Sequence, residues 1–331
     1  SGKRHWAPGD GWPTGLYERL GVGDLPHKSP ADIAYLGEPV DHLRPEAADA
    51  LGLSPTCLVG HGGMDGWTAY VGKNCFAANT ASLTLGTSTV VIAETTSPAC
   101  IDGIMGPFPD GIRRAFGVYE AGQTSGGSIL AWYIDMLGTG PDAHEHLARE
   151  AAAIAPGSDG LIVFDAWRGN RTPYFDPLAR GTICGVTLEH GRAHIYRALL
   201  EGCAYGVRNV LDTLEAGGCP LDELRVCGSG SANDLYVDIL ASVTGKSLLL
   251  SHEKDATCLG SAMCAAVAAA FHPDLPTAAS AMAPAFTPHE PGPEAETYAC
   301  YFQHYLRTYE QMRETMHRLA SLSEDTARES C

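Results

Sequence analysis

The 331-residue sequence predicts an α/β fold. Two observations carry this. Apolar strand-like runs, glycine turns and helical patterns alternate along the chain. Four of the glycine turns, at Gly60–Gly63, Gly86, Gly126–Gly127 and Gly228–Gly230, each follow or interrupt an apolar run. Four such turns in one domain suggest a single nucleotide threaded between them.

Composition narrows the class. Hydrophobic residues make up 45% and charged residues 18%, which suits a core-forming globular chain. The length suggests two domains, or one large domain with a fragment attached. The net charge is −17, from 22 Lys and Arg against 39 Asp and Glu, and there is no basic block. Such a chain repels phosphate backbones, so nucleic acid is not an expected partner. The longest small-apolar run, Ser261 to Phe271, is too short for a bilayer, and no membrane partner is expected. Eleven scattered cysteines include no CxxC pair, and several sit in apolar runs as buried free thiols do. The odd count and the lack of a signal peptide predict a reducing cytoplasm.

The elements follow in order. SGKRHWAPGDGWP reads as loop, with no initiating Met, like the middle of a longer protein. A short helix follows Pro13 and stops at Gly21. Pro26 to Pro45 is loop with short strands. Pro45-Glu46 opens a helix that closes at Gly52. A short apolar segment, Cys57 to Val59, then feeds the Gly60–Gly63 turn, which delivers Asp65. Asn79 to Glu94 reads as two buried strands joined at Gly86. Met105 to Ala121 continues as strand around a turn at Pro109-Asp110-Gly111. Gly126-Gly127-Ser128 opens a helix with Ile129, Trp132, Tyr133 and Leu137 at helical spacing. Its first turn reads either as an anion site built from free N–H groups or as a plain helix start.

A helix is expected over Asp142 to Ile154. His144 and His146 are two apart on it, so they share no face and read as solvent-exposed rather than metal ligands. Strands are expected at Leu161 to Trp167 and Gly181 to Leu188, either side of the long loop GNRTPYFDPLARG. Ala193 to Leu214 reads as the longest helix. Gly202 and Gly206 inside it cost about 1 kcal/mol each against Ala, which close helix packing would explain. Glu223 to Val226 is a strand ending in CGSGSAND. A helix from about Asn233 to Thr244, a strand over Ser247 to Leu250 and a small-residue helix over Asp255 to Phe271 come next. Pro284 to Pro293 reads as loop. The final helix, Ala295 to Ser321, carries Tyr298, Tyr301, Tyr305 and Tyr309 at helical spacing and reads as a packed or partly exposed amphipathic helix.

Two features carry candidate chemistry. Asp65, after a flexible turn, can accept a proton from a hydroxyl, or serve as a helix cap. CGSGSAND is neither GxGxxG nor a P-loop, because the third glycine and the Gly-Lys-Ser/Thr are missing. Asn233 in it can bond a nucleobase or cap its helix. Phosphoryl transfer needs positioning, charge neutralisation and a base, so one Asp with several backbone-donor turns suffices.

Taken together the segments resemble the FGGY family of carbohydrate kinases. The match is tightest at GTICGVTLEHGRAHIYRALLE, Gly181 to Glu201, which follows the family's second signature: Ile183, Gly185 and Val186, a seven-residue gap, then His194, Ile195, Ala198, Leu199, Leu200 and Glu201. LGTS, EAGQTSGGS, NRTPYFDPLARG, CGSGSAND and CLGSAM fall in the family's order, from Trp6 to about Met282. The resemblance implies an actin-like, ribonuclease-H-like ATPase fold: residues 1–74 would be the tail of a sugar-binding domain and 75–331 a complete ATP-binding domain. It implies ATP and Mg²⁺ as cofactors and a small sugar as substrate, a ketopentose such as xylulose or ribulose; a homodimer stays open. Asp65 would deprotonate the sugar hydroxyl. Gly86, Thr87 and Ser88 would form the turn beside the ATP phosphates, and Gly126 would contact nucleotide. Gly228, Ser229 and Asn233 would hold adenosine, with Ser229 departing from the usual glycine. The family's opening strand and DxGT-type turn, which binds phosphate and places Mg²⁺, has no counterpart in this sequence. The chain alone is therefore expected to bind nucleotide weakly and not to phosphorylate sugar. A polyol kinase acting on glycerol or erythritol, and a non-catalytic actin-like nucleotide-binding module, are the competing readings.

Overall fold

A seven-stranded mixed sheet lies between two layers of helices. The structure is a computed structural model and describes residues 6–329, apart from residues 8, 30–32, 139 and 141. The reading of the opening loop falls partly on residues 1–5 and 8, and that of Cys331 wholly, outside the described residues.

The elements are α1 (Thr14–Arg19), β1 (Pro39–His42), α2 (Pro45–Leu51), β2 (Leu58–Gly60), α3 (Asp65–Gly72), β3 (Thr80–Leu85), β4 (Thr89–Thr95), β5 (Met105–Pro109) and β6 (Gly117–Ala121). There follow α4 (Gly127–Leu137), α5 (Ala143–Ala152), β7 (Ile162–Phe164), β8 (Thr182–Cys184), α6 (Arg192–Ala216), β9 (Glu223–Cys227) and α7 (Asp234–Thr244). The chain closes with β10 (Ser247–Ser251), α8 (Ala256–Ala268), α9 (Leu275–Met282), β11 (Phe286–His289) and α10 (Ala295–Glu329). The main sheet runs β11-β10-β9-β3-β4-β6-β5. Within it β3, β9 and β10 are parallel, and the remaining pairings are antiparallel.

Period-2 alternation sorts each strand's side chains between the two layers. Leu83 and Leu85 of β3, Val91 and Ala93 of β4 and Tyr119 and Ala121 of β6 face one core, built on α6, α7 and α10. Ile92 of β4 and Val118 of β6 face the other, built on Trp67, Tyr70 and Val71 of α3, Met263 and Cys264 of α8 and Ala278 and Ala279 of α9. There α3 and α8 meet backbone to backbone. A Cβ added at Gly260 would run into the Thr68 carbonyl, and one at Gly72 into the Ala256 carbonyl. The small residues of α8 thus serve the close contact that its composition predicts.

Several expectations are corrected. The longest helix is α10 with 35 residues, against 25 for α6. Tyr298, Tyr305 and Tyr309 of α10 are buried as its spacing predicts. The strands flanking the long loop are three residues each and pair only with one another. β8 stops at Gly185, whose φ of +88° leaves extended geometry. The proline-rich segment 284–293 contains β11, an edge strand on β10. Pro288 is tolerated because an edge strand leaves one row of backbone donors unused. Gly202 and Gly206 do not serve helix packing. Gly202 admits Val163 of β7, and a side chain at Gly206 would run into Gln123 and the Asp165 carboxylate.

Candidate functional site

The C-terminal ends of β3 and β9 lie side by side, because the strands are parallel with Thr84 opposite Cys227. Ligands of open α/β sheets lie beyond such strand ends. Here the β3–β4 turn (Gly86, Thr87), the start of α4 (Gly127, Ser128) and the turn after β9 (Ser229, Gly230, Asn233) border one cleft of about 1020 Å³. His144, Ala148 and Arg149 of α5 close its side. Three of the four predicted glycine turns therefore converge. The fourth does not: Gly62 and Gly63 line a separate cavity of about 440 Å³ with Trp6, Tyr35 and Trp67. Like the other three it follows an apolar run, and that shared pattern is what groups it with the nucleotide cradle in the sequence.

The α4 start is settled as a plain one. The N–H groups of Gly126 and Ser128 donate to the Thr87 carbonyl at 2.9 and 3.2 Å, and that of Gly127 to the Gly86 carbonyl at 2.9 Å. Those donors are spent on the β3–β4 turn, so no anion nest remains there. Gly126 itself is buried behind the cleft wall, and Gly127 and Ser128 face the cleft. Gly228 has φ +100°, and a side chain there would strike the Leu85 carbonyl, so only glycine brings this turn against β3.

Asn233 is a helix cap. Its Oδ1 accepts from the Tyr236 N–H at 3.2 Å, and its Nδ2 donates to the Tyr196 hydroxyl at 3.3 Å. Among the described residues the second Nδ2 hydrogen has no partner, and Asn233 lines the cleft. Tyr196 also lies 3.4 Å from His144 Nδ1. Burial pushes the Tyr196 phenol up to about 12, and desolvation lowers the His144 pKa. Burial thus favours the neutral form of both groups, and Tyr196 links His144 and Asn233 from behind the cleft. His144 is exposed, as its position predicts, yet it lines the cleft.

Asp65 occupies a different cavity. It is the first residue of α3, with Met64 as the N-cap, and among the described residues its Oδ1 accepts only from the adjacent Gly66 N–H at 2.8 Å. The carboxylate is exposed and borders a cavity of about 250 Å³ with Thr84, Ser88, Glu120, Arg171 and Thr257. Ser88 and Thr87 are consecutive. The Gly86–Ser88 turn therefore separates the two cavities, with Gly86 and Thr87 on the cleft and Ser88 on the Asp65 side.

Glu120 and Arg171 were missed by sequence reasoning. Glu120 alternates with Val118 on the α3 side of β6, so the pleat points it at Asp65's cavity. The signal was a lone acid inside an apolar strand. Arg171 comes from the long loop, where two arginines were visible but not distinguishable. Glu201, the acid of the signature, lies in neither cavity. It is buried and accepts from Arg197 Nε at 2.8 Å, Gly157 N–H at 3.0 Å and Ser158 Oγ at 2.9 Å. His194 of the same signature closes the first turn of α6, accepting from the Gly191 N–H at 3.1 Å. Among the described residues no group of three or more His, Cys, Asp or Glu is placed to hold a metal ion, and no helix is long and apolar enough to cross a membrane. Among the described residues no disulfide is formed; Cys75, Cys203, Cys219, Cys227 and Cys264 are buried free thiols.

The chain is 34% identical over 282 residues to the ribulokinase of Anoxybacillus flavithermus, covering 81% of this chain and 50% of that one. Among solved structures, a xylulose kinase from Rhodospirillum rubrum matches with a TM-score of 0.76 at 23% identity, covering 90% of this chain and 61% of that one. A glycerol kinase from Plasmodium falciparum, solved with ADP, matches with a TM-score of 0.75 at 19% identity, covering 91% and 59%. The fold is that of these kinases, the actin-like ATPase architecture. The chain spans about half the length of the curated relatives it matches. Residues 81–269 match the C-terminal domain of the FGGY family of carbohydrate kinases, and the chain belongs to that family.

Proposed function

We propose that this chain supplies the nucleotide site and the catalytic base of an ATP-dependent sugar kinase acting on a ketopentose, ribulose or xylulose. The observation that carries it is the Gly86–Ser88 turn, one side on the large cleft and the other on the cavity of Asp65. A nucleotide in the cleft, its phosphates following that turn, reaches the cavity where the carboxylate stands. Gly228, Ser229 and Asn233 face adenosine, with the free Asn233 hydrogen toward the base. Thr87 and Ser88 meet the phosphates. Gly126 acts through Gly127 and Ser128, which it places.

In the reaction Asp65 takes the proton of a sugar hydroxyl, and the oxygen attacks the γ-phosphorus. The bond from that phosphorus to the bridging oxygen breaks, and ADP leaves with the electron pair. Asp65 is suited to this because no side chain engages its carboxylate among the described residues. Mg²⁺, when bound, neutralises phosphate oxygens and normally takes only one or two protein carboxylates.

The ketopentose reading leans on the ribulokinase relatives. Residues 1–74 read as the end of a sugar-binding domain and 75–331 as the ATP-binding domain, in a cytoplasmic enzyme. Completing the sugar site takes the remainder of a full-length kinase, so the chain alone is expected to bind nucleotide weakly and not to turn over. The test is a coupled ADP-release assay on the full-length protein with a panel of ketoses and polyols. Release with ribulose or xylulose that Asp65→Ala abolishes supports the reading. Release with glycerol or erythritol alone makes it a polyol kinase. Nucleotide binding without release on any substrate makes it a non-catalytic module.

A further inference from the structure

Arg171 is the one cation among the residues lining the cavity of Asp65, where it faces two carboxylates, Asp65 and Glu120. It is half-buried, and among the described residues it makes no ion pair and no side-chain hydrogen bond. A guanidinium held in that state is unusual in a chain of net charge −17.

The loop around it is not loose. Thr172 is 1% exposed; its hydroxyl accepts from the Gly122 N–H at 2.7 Å and donates to the Gly122 carbonyl at 2.8 Å. Asn170 and Asp176 exchange two backbone hydrogen bonds, both 2.8 Å. The Asp176 carboxylate accepts from the Tyr309 hydroxyl at 2.9 Å and lies 2.7 Å from His317 Nε2. Arg171 is therefore presented from a backbone fixed on both sides. One anchor, Gly122, lies two residues beyond Glu120 on the chain leaving β6.

We infer that Arg171 is a catalytic residue, the cation that contacts the γ-phosphoryl group as it passes to the sugar oxygen. The inference rests on the kinase reading above. A phosphoryl group entering this cavity meets two carboxylates that repel it, and the loose transition state spreads charge over its three equatorial oxygens. A planar guanidinium is matched to two of those oxygens at once. While Asp65 takes the hydroxyl proton and ADP leaves with the electron pair, Arg171 neutralises the group in transit and keeps its own protons.

The test has two arms. Calorimetry of this chain compares ADP with a non-hydrolysable ATP analogue, which alone carries the third phosphate. Arg171→Gln should weaken the analogue about 10-fold and leave ADP unchanged, with Arg171→Lys between the two. In the full-length enzyme Arg171→Gln should lower kcat about 10²–10³-fold while sugar KM stays within about threefold. Equal weakening of both nucleotides, no change in either, or an effect confined to sugar KM would overturn the inference. The unfolding midpoints of both variants separate these results from misfolding, and the lysine variant carries the test if the glutamine one does not fold. If the unsubstituted full-length protein binds neither nucleotide at millimolar concentration and releases no ADP with any sugar, the kinase reading falls and takes this inference with it. Binding by the parent with the same ATP–ADP contrast in Arg171→Gln defeats the inference alone.

Discussion

Two acidic regions of the molecule are built in opposite ways. Beneath α6 and α10 every buried carboxylate is engaged. Glu201 takes Arg197, Gly157 and Ser158; Asp165 accepts from the Tyr305 hydroxyl at 2.7 Å and Gln123 Nε2 at 2.9 Å. Around α3, among the described residues, the Asp65 carboxylate holds only its neighbour's N–H, and the Glu120 and Arg171 side chains hold no side-chain partner. A buried charge that loses its partner costs several kcal/mol, so the first set is structural. The second set leaves its hydrogen-bonding capacity open on a cavity. Pairing, more than acidity or burial, separates the charges that hold this fold from those placed to act.

The largest expected effect tests the open set. Asp65→Asn should reduce kcat of the full-length kinase by about 10²–10⁴-fold while leaving ADP affinity intact, since the general base is lost and the cleft is untouched. Coupled ADP release and calorimetry read the two quantities. Retained turnover would erase the distinction between the regions.

Next comes the engaged set. Glu201→Ala should destabilise the chain by about 3–5 kcal/mol in urea unfolding, because it strands Arg197 in the interior. Arg197 keeps the Ala151 carbonyl at 3.1 Å and the Tyr298 hydroxyl at 2.8 Å, which place the loss toward the lower figure. A cost below about 1 kcal/mol would show that the signature acid is not structural.

Asp165 sharpens the comparison through pH. Burial raises its carboxyl from the ordinary 3.8 to about 6, against the lowering pull of Tyr305 and Gln123. The folded state thus prefers the protonated acid. That preference is complete below about 3.8 and is lost as pH rises through about 6. Relative to Asp165→Asn, which does not titrate, the parent should lose about 3 kcal/mol between these limits. Urea midpoints of both proteins at pH 4.5, 5.5 and 7 measure it. A constant difference would mean that Asp165 stays ionised throughout.

The smallest effect concerns the cleft wall. Asn233→Ala should cost about 1 kcal/mol of stability through the lost cap of α7, and Asn233→Ser should restore most of it. If nucleotide affinity returns with the serine as well, the side chain matters to the cleft only through the helix it starts.

Local chemistry was the legible part of the fold. The hairpin at Gly86, the left-handed stop of α2 at Gly52 and the small-residue helix α8 follow from residues close in sequence. Nonlocal partners were not legible. β11 exists because β10 offers it an edge, which a run of prolines cannot announce. Gly202 and Gly206 show that something approaches α6, yet only the structure says that it is a strand and a buried amide–carboxylate pair. In the candidate site, Asp65 and the turn residues are nominated by glycine patterns and the family resemblance. Glu120 depended on which face of β6 turns toward α3, and Arg171 on a loop anchored by Thr172 and Asp176.

The meeting of α3 and α8 through Gly72 and Gly260 has a mechanical corollary. With no side chains between the two backbones there is nothing to compress or slide, and the pair behaves as one stiff beam. Asp65 stands at one end of that beam, where the Thr257 hydroxyl of α8 also donates to the Asp65 carbonyl at 3.3 Å. In the proposed reaction, a backbone movement of Asp65 toward the β3–β4 turn would carry both helices together, as a rigid-body displacement of a helix pair.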